Sequence, residues 1–154
     1  MHRIAVLVLA CVVSGCATSQ LPPPAITRGG YGAVLSTGPD ATVWTCSSGW
    51  KVGRDTPQPA AKADAVKVRL ARGESEAVQI VVRPAHDAEM GLVLAASGGS
   101  VADPKWIEVS EVGYVNVARA TDESGSAGAW PDPLFPFTGT IKLTAHVNQP
   151  FWIR

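Results

Sequence analysis

Hydrophobic and polar positions alternate along much of this chain. Val66-Lys67-Val68-Arg69-Leu70 puts apolar and charged side chains on opposite faces, the period-two pattern of a strand with one dry side. Residues 77–83 repeat it: Val78, Ile80 and Val82 share a face, while Gln79 and Arg83 point the other way. The intervening Arg72-Gly73-Glu74-Ser75 predicts a hairpin turn, and Pro84 predicts the end of central pairing. Residues 42–46, 92–96, 106–109, 112–117 and 141–147 predict further strands, and 151–154 the opening of one more. The best helical case, residues 60–66, is short and lies among prolines, and no longer window carries a helical period. Many short strands separated by turn signals predict an all-β fold, an immunoglobulin-like antiparallel β-sandwich.

Two stretches read as long loops. Residues 56–63 hold Pro57 and Pro59 among small side chains. Residues 119–138 combine Gly125, Gly128, Pro131, Pro133 and Pro136 with Trp130, Phe135 and Phe137. Loops are ordinarily polar, so a long one rich in aromatics points to a functional or docked segment. The final Phe151-Trp152-Ile153-Arg154 reads as mid-strand, and an unpartnered apolar edge invites aggregation. The expectation is a fragment of a longer protein, with the sandwich incomplete at its C-terminus.

The N-terminus reads differently. Met1-His2-Arg3 is followed by an uncharged run over residues 4–13 and then by Ser14-Gly15-Cys16, the pattern of a secretory signal. The run is too short to span a bilayer, which takes about 20 apolar residues. Val13-Ser14-Gly15-Cys16 resembles the bacterial lipobox, with valine where leucine is usual. That resemblance implies removal of residues 1–15, lipidation of Cys16 and a membrane partner through the lipid. Ala17 resembles the outer-membrane sorting pattern, so the expected location is the bacterial cell envelope, lipid-anchored at the outer membrane or cell surface. Ordinary cleavage near Ala17 is the alternative. Residues 16–40 are rich in Pro, Gly, Ser and Thr, and Pro22-Pro23-Pro24 favours extended geometry. They predict a flexible tether, leaving residues 41–154 as the folded body.

Composition narrows the function classes. The chain has 154 residues, 13 basic against 13 acidic side chains, and 46% apolar residues. That bounds it to one ordinary domain and argues against nucleic-acid binding and against disorder. Of three cysteines, Cys11 falls in the signal and Cys16 takes the lipid, leaving Cys46 as a buried, inert thiol. His2, His86 and His146 lack metal-ligand spacing. Gly29-Gly30-Tyr31-Gly32 is not a phosphate loop, Gly125-Ser126-Ala127-Gly128 is not a nucleophile elbow, and Asp122-Glu123-Ser124-Gly125 falls short of a calcium loop. No catalytic residue, metal or cofactor is implied. Trp44, Trp50, Trp106 and Trp152 sit in or beside predicted strands and read as core. Asp132, held between Pro131 and Pro133 beside Trp130, suits either a sugar hydroxyl or a turn cap.

Five segments together resemble a known family. They are Trp50-Lys51-Val52 with Asp55-Thr56-Pro57, the run from Ala71 to Gln79, Val112-Gly113-Tyr114-Val115-Asn116-Val117, Trp130-Pro131-Asp132-Pro133-Leu134, and Asn148-Gln149-Pro150-Phe151-Trp152. In order and spacing they are similar to the N-terminal β-sandwich domain of glycoside hydrolase family 123-like secreted proteins, over about residues 43–154. The resemblance implies a non-catalytic accessory domain that precedes a TIM-barrel with an adjacent Asp-Glu pair, acting on terminal β-linked N-acetylgalactosamine. Asp122-Glu123 is adjacent but lies in the sandwich, so the catalytic role does not transfer. Tyr114, Trp130, Asp132, Phe135 and Phe137 are the candidates for contact with the barrel or with glycan. Two alternatives stand beside this: a free-standing carbohydrate-binding or adhesion lipoprotein using Trp130, Phe135 and Phe137, and a broken product without a stable fold.

Overall fold

The computed structural model describes residues 3–8, 31–94, 106–119 and 127–154. Among them nine strands form: β1 (Arg3–Val8), β2 (Gly32–Thr37), β3 (Ala41–Ser47), β4 (Val78–Pro84), β5 (Ala88–Leu94), β6 (Val109–Val117), β7 (Gly128–Pro136), β8 (Thr140–Leu143) and β9 (Gln149–Ile153). The larger sheet has six strands in the order β2-β3-β4-β9-β6-β7, every neighbouring pair antiparallel. The smaller sheet has the order β1-β5-β8; β5 and β8 are antiparallel, and β1 lies parallel to β5.

The two sheets share one core. Ala41, Val43, Ile80, Val82, Phe151 and Ile153 of the larger sheet meet Met90 of β5 and Leu143 of β8. The fold is all-β, consistent with a β-sandwich. The alternate positions of β3 and β4 point to the opposite, outer face, where Trp44, Cys46 and Val81 pack with Val34 and Val52. Ile80-Val81-Val82 is therefore buried on both sides, which is why it reads as an unbroken apolar run.

Residues 48–63 cover that outer face without forming a strand. Trp50 N–H donates to the Ser47 carbonyl at 3.2 Å, and Gly53 N–H to Thr56 Oγ1 at 2.8 Å. Val34 N–H donates to the Ala61 carbonyl at 2.8 Å, and Ala63 N–H returns to the Val34 carbonyl at 2.9 Å, shielding the free edge of β2. Asn148, fully buried, ties this cover to the turn before β9: its Nδ2 donates to the Gly53 and Thr56 carbonyls at 3.0 and 2.8 Å. Beyond β4 the cover reaches β6 and β7 only through Val52 and Arg54 at Tyr114 and through Lys51, leaving part of the outer face of β9, β6 and β7 open, and that boundary positions the site.

Several expectations are corrected. Residues 66–70 form no strand: Val66 touches the core but Leu70 is exposed. The turn itself forms, with Gly73 at φ 83° and Glu74 N–H on the Ala71 carbonyl, but β4 takes β3 and β9 as neighbours, so no hairpin follows. The predicted tether overlaps the fold, because Gly32–Thr37 is β2; a Cβ on Gly32 would overlap the Thr45 carbonyl oxygen, so glycine permits the approach. The aromatic loop over 119–138 contains β7, whose three prolines are tolerated because β7 is an edge strand. The strand predicted at 112–117 lies within β6, which begins at Val109, whereas residues 106–108 form no strand. The terminal apolar strand is central and paired on both sides, so it presents no bare edge. Arg3–Val8, the start of the predicted signal, forms β1, while Cys16 and Asp122-Glu123 lie outside the described residues.

Candidate functional site

Where the cover ends, a shallow cleft of about 170 Å³ opens on the outer face. Its floor is the apolar outer side of β9, β6 and β7: Trp152, Val112 and Leu134, with Pro131 alongside. Its rim is Ser48, Trp50 and Lys51 from the cover, facing Asp132 of β7. Buried Gln79 holds the rim in place: its Nε2 donates to the Ser47 and Trp50 carbonyls at 3.0 and 2.6 Å.

Two struts join the cover to the β6–β7 edge. Lys51 Nζ donates to the Pro131 carbonyl and to Asp132 Oδ1, both at 3.1 Å, an exposed ion pair that contributes little to stability. Tyr114 donates its hydroxyl to the Val52 carbonyl at 2.9 Å, and the Arg54 guanidinium sits 4.3 Å above its ring. Burial pushes the Tyr114 hydroxyl up to about 12, against the lowering effect of Arg54, so it remains a neutral donor.

Trp50 is braced from behind. Its ring stacks on Tyr31 with centroids 5.2 Å apart and planes 12° from parallel, and Tyr31 meets Trp44 edge to face. Core placement holds for Trp44, which is fully buried, but not for Trp50 and Trp106, which are 44% and 69% exposed; Trp152 is half-buried in the cleft. Trp50 is the residue that pattern reading missed, because its support comes from Tyr31 in a segment read as tether.

The expected contact residues divide. Asp132 lies in the cleft and Tyr114 supports the cover beside it. Phe135 is exposed and lies over Gly113, where a Cβ would overlap its ring, at the register shift between Val112 and Tyr114. Phe137 turns to the inter-sheet core, edge to face with Phe151 at 5.4 Å. Trp130 pairs with Val115 and is half-buried. Thus the structure does not bring Trp130, Phe135 and Phe137 into one platform.

The chemistry of this face is stacking and hydrogen bonding. Cys46, the thiol nearest to it in the fold's second core cluster, is buried, and burial pushes it up to about 12, so it is held as an unreactive thiol. Among the described residues no three His, Cys, Asp or Glu side chains converge to hold a metal. Set against known proteins, the chain matches no family model and no curated protein.

Proposed function

We propose that the chain is a non-catalytic accessory β-sandwich domain of a surface-anchored glycoside hydrolase, similar to enzymes that act on terminal β-linked N-acetylgalactosamine, and that it packs on a TIM-barrel catalytic domain of the parent protein. One observation supports the reading: each of the five segments of the family resemblance, dispersed between Trp50 and Trp152, places at least one residue in the lining of the outer-face cleft, the second of them only through buried Gln79. An accessory domain needs such a presented surface, built from distant segments on a rigid sheet. Exposed Leu134 and Trp50 give that face apolar contact area, and the Lys51–Asp132 pair gives it a polar rim.

Lipidation at Cys16 would tether the domain to the bacterial envelope. Removal of residues 1–15 would take β1 with it, yet Met90 of β5 and Leu143 of β8 would still close the inter-sheet core. A second reading, a free-standing carbohydrate-binding or adhesion lipoprotein, draws on the exposed and braced Trp50.

The coding DNA beyond Arg154 tests the accessory role. The expected result is an open frame running into a (β/α)-patterned stretch of about 250 residues. A stop codon followed by an unrelated gene overturns the role in this form.

A further inference from the structure

We propose that the outer-face cleft binds one neutral sugar ring, with Trp50 as its stacking surface and Lys51 and Asp132 as its hydroxyl-binding pair. The inference deepens the second reading, carbohydrate binding at the face that carries Trp50, and rests on it, with the cleft left open rather than covered by a barrel. Size comes first. The cleft holds about 170 Å³ and is open on one side, well under the roughly 300–1,000 Å³ of pockets that enclose drug-sized ligands. It has room for a single ring, or for one terminal residue of a longer chain.

Charge narrows the ligand further. The polar rim carries one cation and one anion, paired at 3.1 Å. An anion drawn to Lys51 would meet the Asp132 carboxylate, and a cation drawn to Asp132 would meet the Lys51 ammonium, so the cleft favours a neutral ligand. A purely apolar ligand fits no better, because covering the ion pair would strip its water without replacing those hydrogen bonds.

Polar and apolar surface are also arranged to suit a sugar. A pyranose has an apolar C–H face and a rim of hydroxyls. The cleft answers both, with Trp50, Trp152 and Leu134 on its apolar side and an ammonium donor next to a carboxylate acceptor on its rim. Lys51 has three N–H donors, of which the Pro131 carbonyl and Asp132 take two, and an ionised carboxylate accepts several hydrogen bonds. Adjacent hydroxyls on one ring can therefore accept from Lys51 and donate to Asp132 together. The site is also pre-ordered: Tyr31 fixes the tilt of Trp50, and Pro131 and Pro133 restrict the backbone around Asp132, so less freedom is lost on binding.

The test is titration of the full-length chain with the methyl glycosides of glucose, galactose, mannose, N-acetylglucosamine and N-acetylgalactosamine, read by tryptophan fluorescence. The expected result is a saturable change with at least one sugar at millimolar concentration. Lys51→Met and Asp132→Asn should each weaken it about tenfold, since both remove charge-assisted hydrogen bonds at an exposed position and leave the core untouched. Trp50→Ala should abolish it, whereas Trp130→Ala and Phe135→Ala should leave it unchanged. No saturable response to any of these sugars overturns the inference, and the accessory role is then still decided by the coding frame. Binding that survives Lys51→Met and Asp132→Asn but is lost in Trp130→Ala or Phe135→Ala also overturns it, and moves glycan recognition to the other side of the β6–β7 edge.

Discussion

Trp44→Ala is expected to cost about 3–5 kcal/mol of folding stability, a large share of what a domain of this size has. Trp44 is fully buried on the outer face of β3, packed with Val34, Cys46, Val52 and Val81 beneath the cover and capped by the edge of the Tyr31 ring. Truncation leaves a void that a rigid sheet cannot collapse into, and it removes the floor on which Tyr31 and then Trp50 are stacked. Trp44→Phe is expected to cost far less. The Trp44 Nε1–H is buried without an acceptor among the described residues, so phenylalanine removes an unpaired donor along with part of the ring. Urea denaturation of the three proteins checks the order. Equal losses in the alanine and phenylalanine variants would contradict this, showing that the volume phenylalanine retains does not offset the cost and that the indole itself is required.

Asn148→Ala is expected to cost roughly 1–3 kcal/mol, because it removes the amide donor from the part-buried Gly53 and Thr56 carbonyls, which keep only the Thr56 N–H at 3.2 Å and a long Arg83 contact at 3.5 Å. Asn148→Asp should be worse: it keeps the shape, loses both donors and sets a carboxylate against two carbonyl oxygens. The backbone contact from Asn148 N–H to the Arg54 carbonyl at 2.8 Å survives either change, so loosening should be confined to the cover. That gives the prediction a second readout. Trp50 follows directly from this cover, and its fluorescence should shift toward that of a solvated indole in Asn148→Ala while the rest of the sandwich still melts cooperatively. A fully native melt with unshifted fluorescence would show that the cover is held without Asn148.

The strands legible in the sequence were those whose burial made a simple pattern. Thr42 to Cys46 and Val78 to Arg83 sit in β3 and β4, where both faces are covered and the apolar content is dense. Phe151 to Ile153 was legible as a strand, but its central place between β4 and β6 was not, since pairing partners so far apart leave no local mark. β7 was hidden by Pro131, Pro133 and Pro136, which signal a loop by local rules and are acceptable only because one edge of that strand faces no neighbour. The alternation of Val66 to Leu70 misled for the opposite reason: a one-sided pattern makes a strand only where a sheet edge is free to pair, and β4 has none.

The site was half legible. Asp132 stood out because two prolines fix it, and Trp50-Lys51 and Asn148 to Trp152 stood out through the family resemblance. What joins them was not visible. Lys51 and Asp132 are 81 residues apart, and Asn148 lies 95 residues from Gly53. The grouping of Trp130, Phe135 and Phe137 failed because Phe137 lies just past the end of β7 and packs into the inter-sheet core against Phe151, while Phe135 stays exposed over Gly113, a separation that a loop reading cannot foresee.

Whether this accessory domain is non-catalytic is decided by incubating the full-length chain with chromogenic aryl glycosides, the aryl N-acetyl-β-galactosaminide first among them. The predicted result is release of the aryl group at the uncatalysed rate, identical for the wild-type chain and for Asp132→Asn. Turnover above that rate, lost when Asp132 becomes asparagine, would contradict it.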